Sequence, residues 1–256
     1  MEEAVQREEY LKNCREIMLR ELIFIDGVCK KENISYTLIS GTLLGAVRYK
    51  GFIPWDDDAD IAMTRGEFEK FRKAVPAYLG DEFVFGKNGR VNGITIKNLS
   101  EKYGEKYANV RTDIFVADNI PDNALRLRLH MLRLKFIHGM MKRKPDYKTY
   151  GLPGKILVFV TSTTGKLFKE ETIFSMFEKA SIAYNKRNTK FVSVKDGKYE
   201  HLHLKLETKF YLETFLFPFE NTELFVSKHY HALLSALYGE NYMTPPSKEK
   251  QVPGHG

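Results

Sequence analysis

The chain has 256 residues, 43% hydrophobic and 13% aromatic, and a formal charge of +7. It is long and apolar enough to bury a core, which excludes a disordered chain, and its excess of cations favours anionic partners. Two cysteines, Cys14 and Cys29, offer neither a metal spacing nor a disulfide framework.

Residues 1–9 are acidic and polar and so do not read as a secretory signal. The longest aliphatic and aromatic run, residues 156–160, falls far short of the roughly 20 residues of a spanning helix. A cytoplasmic protein is expected. From about residue 7 to 32, Leu11, Cys14, Met18, Leu22, Ile25 and Cys29 recur at three- and four-residue steps, one face of a long scaffold helix. Residues 34–39 read as a strand entering Ser40-Gly41-Thr42, and residues 43–48 as a short helix whose start presents backbone N–H groups. A loop with Gly51 and Pro54 leads into an acidic stretch that continues as a strand to Met63. Thr64 and Glu67 form a capping-box pattern for a helix carrying Phe68, Phe71 and Val75 inward.

Residues 83–98 read as two strands around Lys87-Asn88-Gly89, and residues 109–117 as a further strand. Residues 122–188 turn helical and basic. Residues 190–226 return to strand-like, aromatic segments with an Asp196-Gly197 turn, and Ser227 is expected to cap a last helix through Leu237. The pattern predicts an α+β fold, a mixed sheet with flanking helices, as one domain spanning 1–256 with a basic helical insertion at about 122–188.

Asp56, Asp57, Asp58 and Asp60 crowd one short segment of this basic chain. Carboxylates about 5 Å apart repel by roughly 1 kcal/mol per pair even in water, and a divalent cation is the usual remedy. On an extended strand Asp56, Asp58 and Asp60 share one side while Asp57 points to the other. Acids so spaced can hold two metals about 3.5 to 4 Å apart for displacement at phosphorus. The bland alternative is a solvated acidic turn, disfavoured because Trp55 and Ile61 flank the run. Asp113, set among Val110, Ile114 and Phe115, is the natural third acid; alternatively it pairs with Arg111 or Lys97. Gly41 and Thr42 suit a phosphate held beside the metals, and Arg48 either clamps a phosphate or bridges to the acidic loop.

Residues 40–48, read Ser40-Gly41-Thr42-Leu43-Leu44-Gly45-Ala46-Val47-Arg48, and residues 51–60, from Gly51-Phe52-Ile53-Pro54-Trp55 to Asp60, resemble the signature of the LicD/fukutin family of phosphotransferases. Thr112-Asp113-Ile114-Phe115 and the block from Tyr238-Gly239-Glu240-Asn241-Tyr242 to Pro246 resemble two further family segments in the same order. The resemblance implies a nucleotidyltransferase-like fold. It also implies transfer of a phospho-alcohol, foremost phosphocholine, from a CDP-activated donor to a sugar hydroxyl of a cell-surface glycan or teichoic acid precursor, releasing CMP. Mg2+, or Mn2+, would serve as cofactor, two ions in all. Asp56, Asp58, Asp60 and Asp113 would be the metal ligands, the last three also catalytic. Gly41, Thr42, Arg48 and Lys97 would contact the donor. Val116-Ala117-Asp118 and Val226-Ser227 depart from the family pattern, which bears on subfamily and substrate. His255 reads as a tail residue.

Residues 125–144 are strongly basic and amphipathic. Two readings compete: a helix lying on an anionic membrane beside a lipid-linked acceptor, or a helix packed on its own domain with a solvated basic face. A nucleic-acid partner is not expected, since the aromatic residues do not interleave with the basic ones. Two rival functions remain, a true nucleotidyltransferase and a noncatalytic membrane-associated binding protein.

Overall fold

The computed structural model describes residues 2–88, 91–194 and 205–253. Two compact units result, one made of residues 1–116 with 209–256, the other of residues 117–208.

The first unit is built on α1 (Glu2–Glu32), which starts ahead of the expected residue 7. Cys14, Ile17, Met18, Leu22, Ile25 and Cys29 on it are all buried. Glu21 lies on the same stripe and has no exposed surface. The strand expected at 34–39 shrinks to β1 (Thr37–Leu38), because Ser35 N–H is taken by Glu67 and Tyr36 turns its hydroxyl to Asp26. There follow α2 (Ser40–Tyr49), β2 (Ala59–Thr64) and α3 (Arg65–Ala74). Thr64 caps α3 by accepting the Glu67 N–H at 3.5 Å, while the Glu67 carboxylate bonds Ser35 instead of closing the box. Phe68, Phe71 and Val75 are buried as the pattern requires.

Next come β3 (Phe83–Asn88) and β4 (Val91–Ile96), an antiparallel hairpin in register Asn88 to Val91. Then follow α4 (Leu99–Tyr103) and β5 (Thr112–Asn119). Strand order in this unit is β1-β2-β5-β4-β3, so β2 and β5, the two acid-bearing strands, are neighbours.

In the second unit the end of β5 pairs antiparallel with β6 (Phe191–Val194), and β6 with β7 (Leu206–Glu207). Between them lie α5 (Ala124–Met140), α6 (Leu152–Lys166) and α7 (Glu170–Ser181), with Leu134, Ile137, Met140, Ile173, Phe177 and Ala180 forming one cluster. The Asp196-Gly197 turn and His255 lie outside the described residues.

The chain re-enters the first unit through α8 (Lys209–Leu212) and the hairpin of β8 (Thr214–Phe219) and β9 (Thr222–Ser227). It ends on α9 (Tyr230–Tyr238). Ser227 does not cap that helix. It closes β9, its N–H bonded to the Thr37 hydroxyl and its own hydroxyl accepting from His229 N–H, which leaves His229 at the cap position.

Candidate active site

Helix α2 begins at Ser40, earlier than the expected residue 43, so Gly41 and Thr42 lie in its first turn. Ser40 itself takes a left-handed φ of 53° at the sharp turn out of β1. The turn is held by Asp60, whose N–H donates to the buried Thr42 hydroxyl at 2.8 Å. That bond sews the first turn of α2 to the second residue of β2. Gly41 is required here by space: a Cβ on it would fall 2.6 Å from Asp56 Oδ2. The Asp56 carboxylate therefore rests against the helix start, where partial positive charge favours an anion.

The loop between α2 and β2 is pressed onto the helix. A Cβ at Gly45 would lie 2.5 Å from the Gly51 carbonyl oxygen, so glycine permits the approach. Glu220, at the β8–β9 turn, accepts the Phe52 N–H at 3.0 Å and donates its own N–H to Lys50 O at 2.7 Å. Arg15 of α1 holds the Pro54 carbonyl. The acids are thus delivered by a loop tied down on three sides.

Asp56, Asp57 and Asp58 lie ahead of β2, the Asp56 N–H closing a turn onto Ile53 O at 3.0 Å, and Asp60 lies within the strand. The run divides by face. Asp57 is buried and its charge acts on Tyr10 and Cys14 of α1. Asp60, Asp56 and Asp58 instead act together on the hydroxyl of Tyr238, the last residue of α9. On β5, Thr112 faces α1, its hydroxyl 3.0 Å from Glu21 Oε2, so the alternate residue Asp113 lies on the opposite face of the strand. Asp113 is held by Arg111, Nε to Oδ1 at 2.5 Å, the pairing foreseen as its alternative role. Arg111 also reaches the Val91 carbonyl at 3.4 Å.

The electrostatics are those of crowded carboxylates. Asp56 is pushed up to about 8, first by burial and then by the charge of Asp58, to which it hydrogen-bonds, and by Asp57. A carboxyl raised in this way by its carboxylate neighbours marks a place with surplus negative charge. Tyr238 is 47% exposed as a residue, yet its phenol is driven upward by desolvation of its hydroxyl end and by Asp60, Asp56 and Asp58, against a lowering by Arg48. It stays protonated across the physiological range and can donate a hydrogen bond. Among the described residues no three His, Cys, Asp or Glu side chains converge closely enough to form a finished metal cage. The donor set nevertheless fits a hard divalent cation: carboxylate oxygens only, with Asp56 raised by the charge of Asp58 in a way that such an ion would reverse.

Arg48 neither bridges to the acidic loop nor stands open in any bond described for it. Its guanidinium binds the Tyr242 carbonyl and reaches Thr244 O at 3.4 Å, clamping the C-terminal block to α2. Tyr242 in turn places its hydroxyl 2.9 Å from His231 Nδ1. The Arg48 charge also acts on the Tyr238 phenol, lowering it against the acids. Lys97, in contrast, is exposed beyond the end of β4, with its N–H on Glu82 O at 2.7 Å. Asp113 pairs with Gly93, four residues back along β4, so Lys97 stands about 13 Å along the sheet from that acid. The structure does not bring it to the others.

Two residues escaped the reading of the sequence. Tyr238 carried no chemical signal and appeared only inside the C-terminal block of the resemblance. Glu21 was legible: it follows Cys14 and Met18 and precedes Ile25 on the apolar stripe of α1, where a lone acid demands partners.

Comparison with known proteins adds three findings. A profile described as LicD/FKTN/FKRP, nucleotidyltransferase domain, matches residues 33–136. The lipopolysaccharide cholinephosphotransferase LicD of Haemophilus influenzae is 26% identical over 100% of this chain and 97% of its own length. The uncharacterized protein RP689 of Rickettsia prowazekii is 33% identical over 36% of each chain. The matched segment, residues 33–136, holds Gly41, Thr42, Arg48 and every acid of the site.

Proposed function

We propose that this protein transfers phosphocholine from CDP-choline to a sugar hydroxyl of a cell-surface glycan or teichoic acid precursor, releasing CMP in the cytoplasm. The observation that carries the reading is the Asp56 carboxyl packed on Gly41 in the first turn of α2 and hydrogen-bonded to Asp58, with Asp60 tied to Thr42 of the same turn, all within the segment that the family profile matches. The printed activity of the Haemophilus relative supports phosphocholine as the group moved.

Asp56, Asp58, Asp60 and Asp113 would hold Mg2+ or Mn2+, two ions in this reading. When bound, the metal lowers the pKa of the acceptor hydroxyl and offsets the diphosphate charge. The acceptor oxygen attacks the phosphorus of the choline-bearing phosphate, the bond from that phosphorus to the bridging oxygen breaks, and CMP leaves with the oxygen. The hydroxyl proton passes to a carboxylate of the Asp58, Asp60 and Asp113 face. The amides of the first turn of α2 and the Tyr238 hydroxyl are the donors in position to bind phosphate oxygens. Arg48 clamps the C-terminal block to α2 rather than touching the donor.

The test is CMP release from CDP-choline, CDP-ribitol and CDP-glycerol with a glycan acceptor and Mg2+ or Mn2+. Turnover is expected with CDP-choline, lost with EDTA and lost in Asp58→Asn with Asp60→Asn. Pyrophosphate release from a nucleoside triphosphate, with no CMP from any CDP-alcohol, would establish nucleotidyl transfer instead. No turnover with any donor would favour a binding protein.

A further inference from the structure

Helix α5 carries two apolar stripes. Leu134, Ile137 and Met140 face inward to Ile173 and Phe177 of α7. Leu125, Leu129, Leu132 and Phe136, spaced four, three and four residues apart, are all exposed, Leu125 at 66%. At 3.6 residues per turn these four form one line, with Arg126 and Arg133 along one flank and Arg128 and Lys135 along the other.

Helix α6 repeats the arrangement. Val158, Thr161, Ser162 and Gly165 are buried, whereas Leu152, Ile156, Phe159 and Val160 stand out on the opposite side, Leu152 at 73%, with Leu167 just past the helix end. The two helices approach closely: a Cβ on Gly165 would fall 2.0 Å from Met140 O, and Arg143 caps the end of α6 by donating to Gly165 O at 2.9 Å and Phe168 O at 2.7 Å. The exposed residues thus stand on a fixed helix pair. Between Ala124 and Lys169 there are eleven lysines and arginines against the single acid Asp146.

Neither helix is long and apolar enough to cross a membrane. Large apolar side chains in a line, with cations on both flanks, match a bilayer in which acyl chains receive the apolar line and anionic headgroups meet the cations. A cleft of about 280 Å³ beside Leu129, lined by Arg133, Tyr184 and Arg187, adds a cationic recess of headgroup size on the same helix. We propose that the second unit docks on an anionic lipid bilayer through α5 and α6 lying in the interface. The sequence pointed to residues 125–144 alone; the exposed line of α6 extends the surface to Leu167. The inference is independent of the transfer chemistry, because residues 117–208 hold none of the site acids.

The test is co-sedimentation of the full chain with phosphatidylcholine vesicles, with and without 30% phosphatidylglycerol, together with light scattering of the protein alone. Binding to anionic vesicles is expected at least tenfold tighter than to neutral ones. Ile156→Glu with Phe159→Glu, both exposed in the wild type, should abolish binding while leaving the circular dichroism unchanged. Arg133→Gln with Arg187→Gln should weaken binding to anionic vesicles by about 20-fold, near fivefold per charge, with little change on neutral ones. Equal binding to both vesicle types overturns the proposal, as does no binding. A dimer in solution that the Ile156 and Phe159 substitutions dissociate, with no vesicle binding, assigns the face to a second copy instead.

Discussion

Glu21 has no exposed surface and is pushed up to about 8 by burial, against hydrogen bonds from Thr112 and the Ile96 N–H that pull it down. The folded state therefore holds a proton that the unfolded chain releases near 4.5. The stability this provides is complete below about pH 4.5, falls as pH rises, and is gone above about 8, a swing on the order of 5 kcal/mol. Glu21→Gln keeps the shape and removes the titration. Chemical denaturation at pH 5 and pH 9 should show the wild type losing stability that the variant retains. Tyr238 makes the second prediction at this scale. Tyr238→Phe removes one donor facing three acids and should lower kcat about 10- to 100-fold, with CDP-choline KM changed far less, as steady-state CMP release would show.

Arg48 acts between elements, joining α2 to the segment after α9 through the carbonyls of Tyr242 and Thr244. Lysine offers no planar fork, so Arg48→Lys should cost about 1 to 3 kcal/mol in thermal unfolding and lower kcat in the same direction as Tyr238→Phe. Much of the element order was legible in the sequence. The Thr64 cap, the Phe68 and Phe71 face, the β3–β4 hairpin and the helical run from residue 124 follow from local periodicity and turn residues. What failed was non-local. The strand at 34–39 shortened because Tyr36 and Ser35 bond partners elsewhere in the chain, and Ser227 was claimed by Thr37, 190 residues away. The acids were legible from their crowding. Tyr238 was not, because nothing in its neighbours announces that the end of α9 lies in the field of acids far earlier in the chain.

At the scale of the whole molecule the charge of +7 is not shared by the acidic segment from Asp56 to Asp60. In the proposed reaction the CDP-alcohol donor is anionic, so the surrounding field would draw it in while the local carboxylates would hold the cations. Raising NaCl from about 20 to 200 mM at saturating Mg2+ should lower kcat/KM for the donor several-fold and leave kcat little changed, since salt screens the long-range attraction first. Measuring both against ionic strength checks it. Division into two units also separates the chemistry from the apolar helices, since the first unit holds every acid and the second the exposed α5 and α6 lines.

The clamp of Arg48 on Tyr242 spans 194 residues of sequence. During synthesis the acids emerge first and Tyr238 follows about 10 to 40 s later at ordinary elongation rates. A nascent chain therefore owns its carboxylates well before it owns the hydroxyl that faces them. In the proposed reaction this order means that the carboxylates that would hold the cations exist before the hydroxyl that would bind phosphate, and the site is completed only once α9 has left the ribosome.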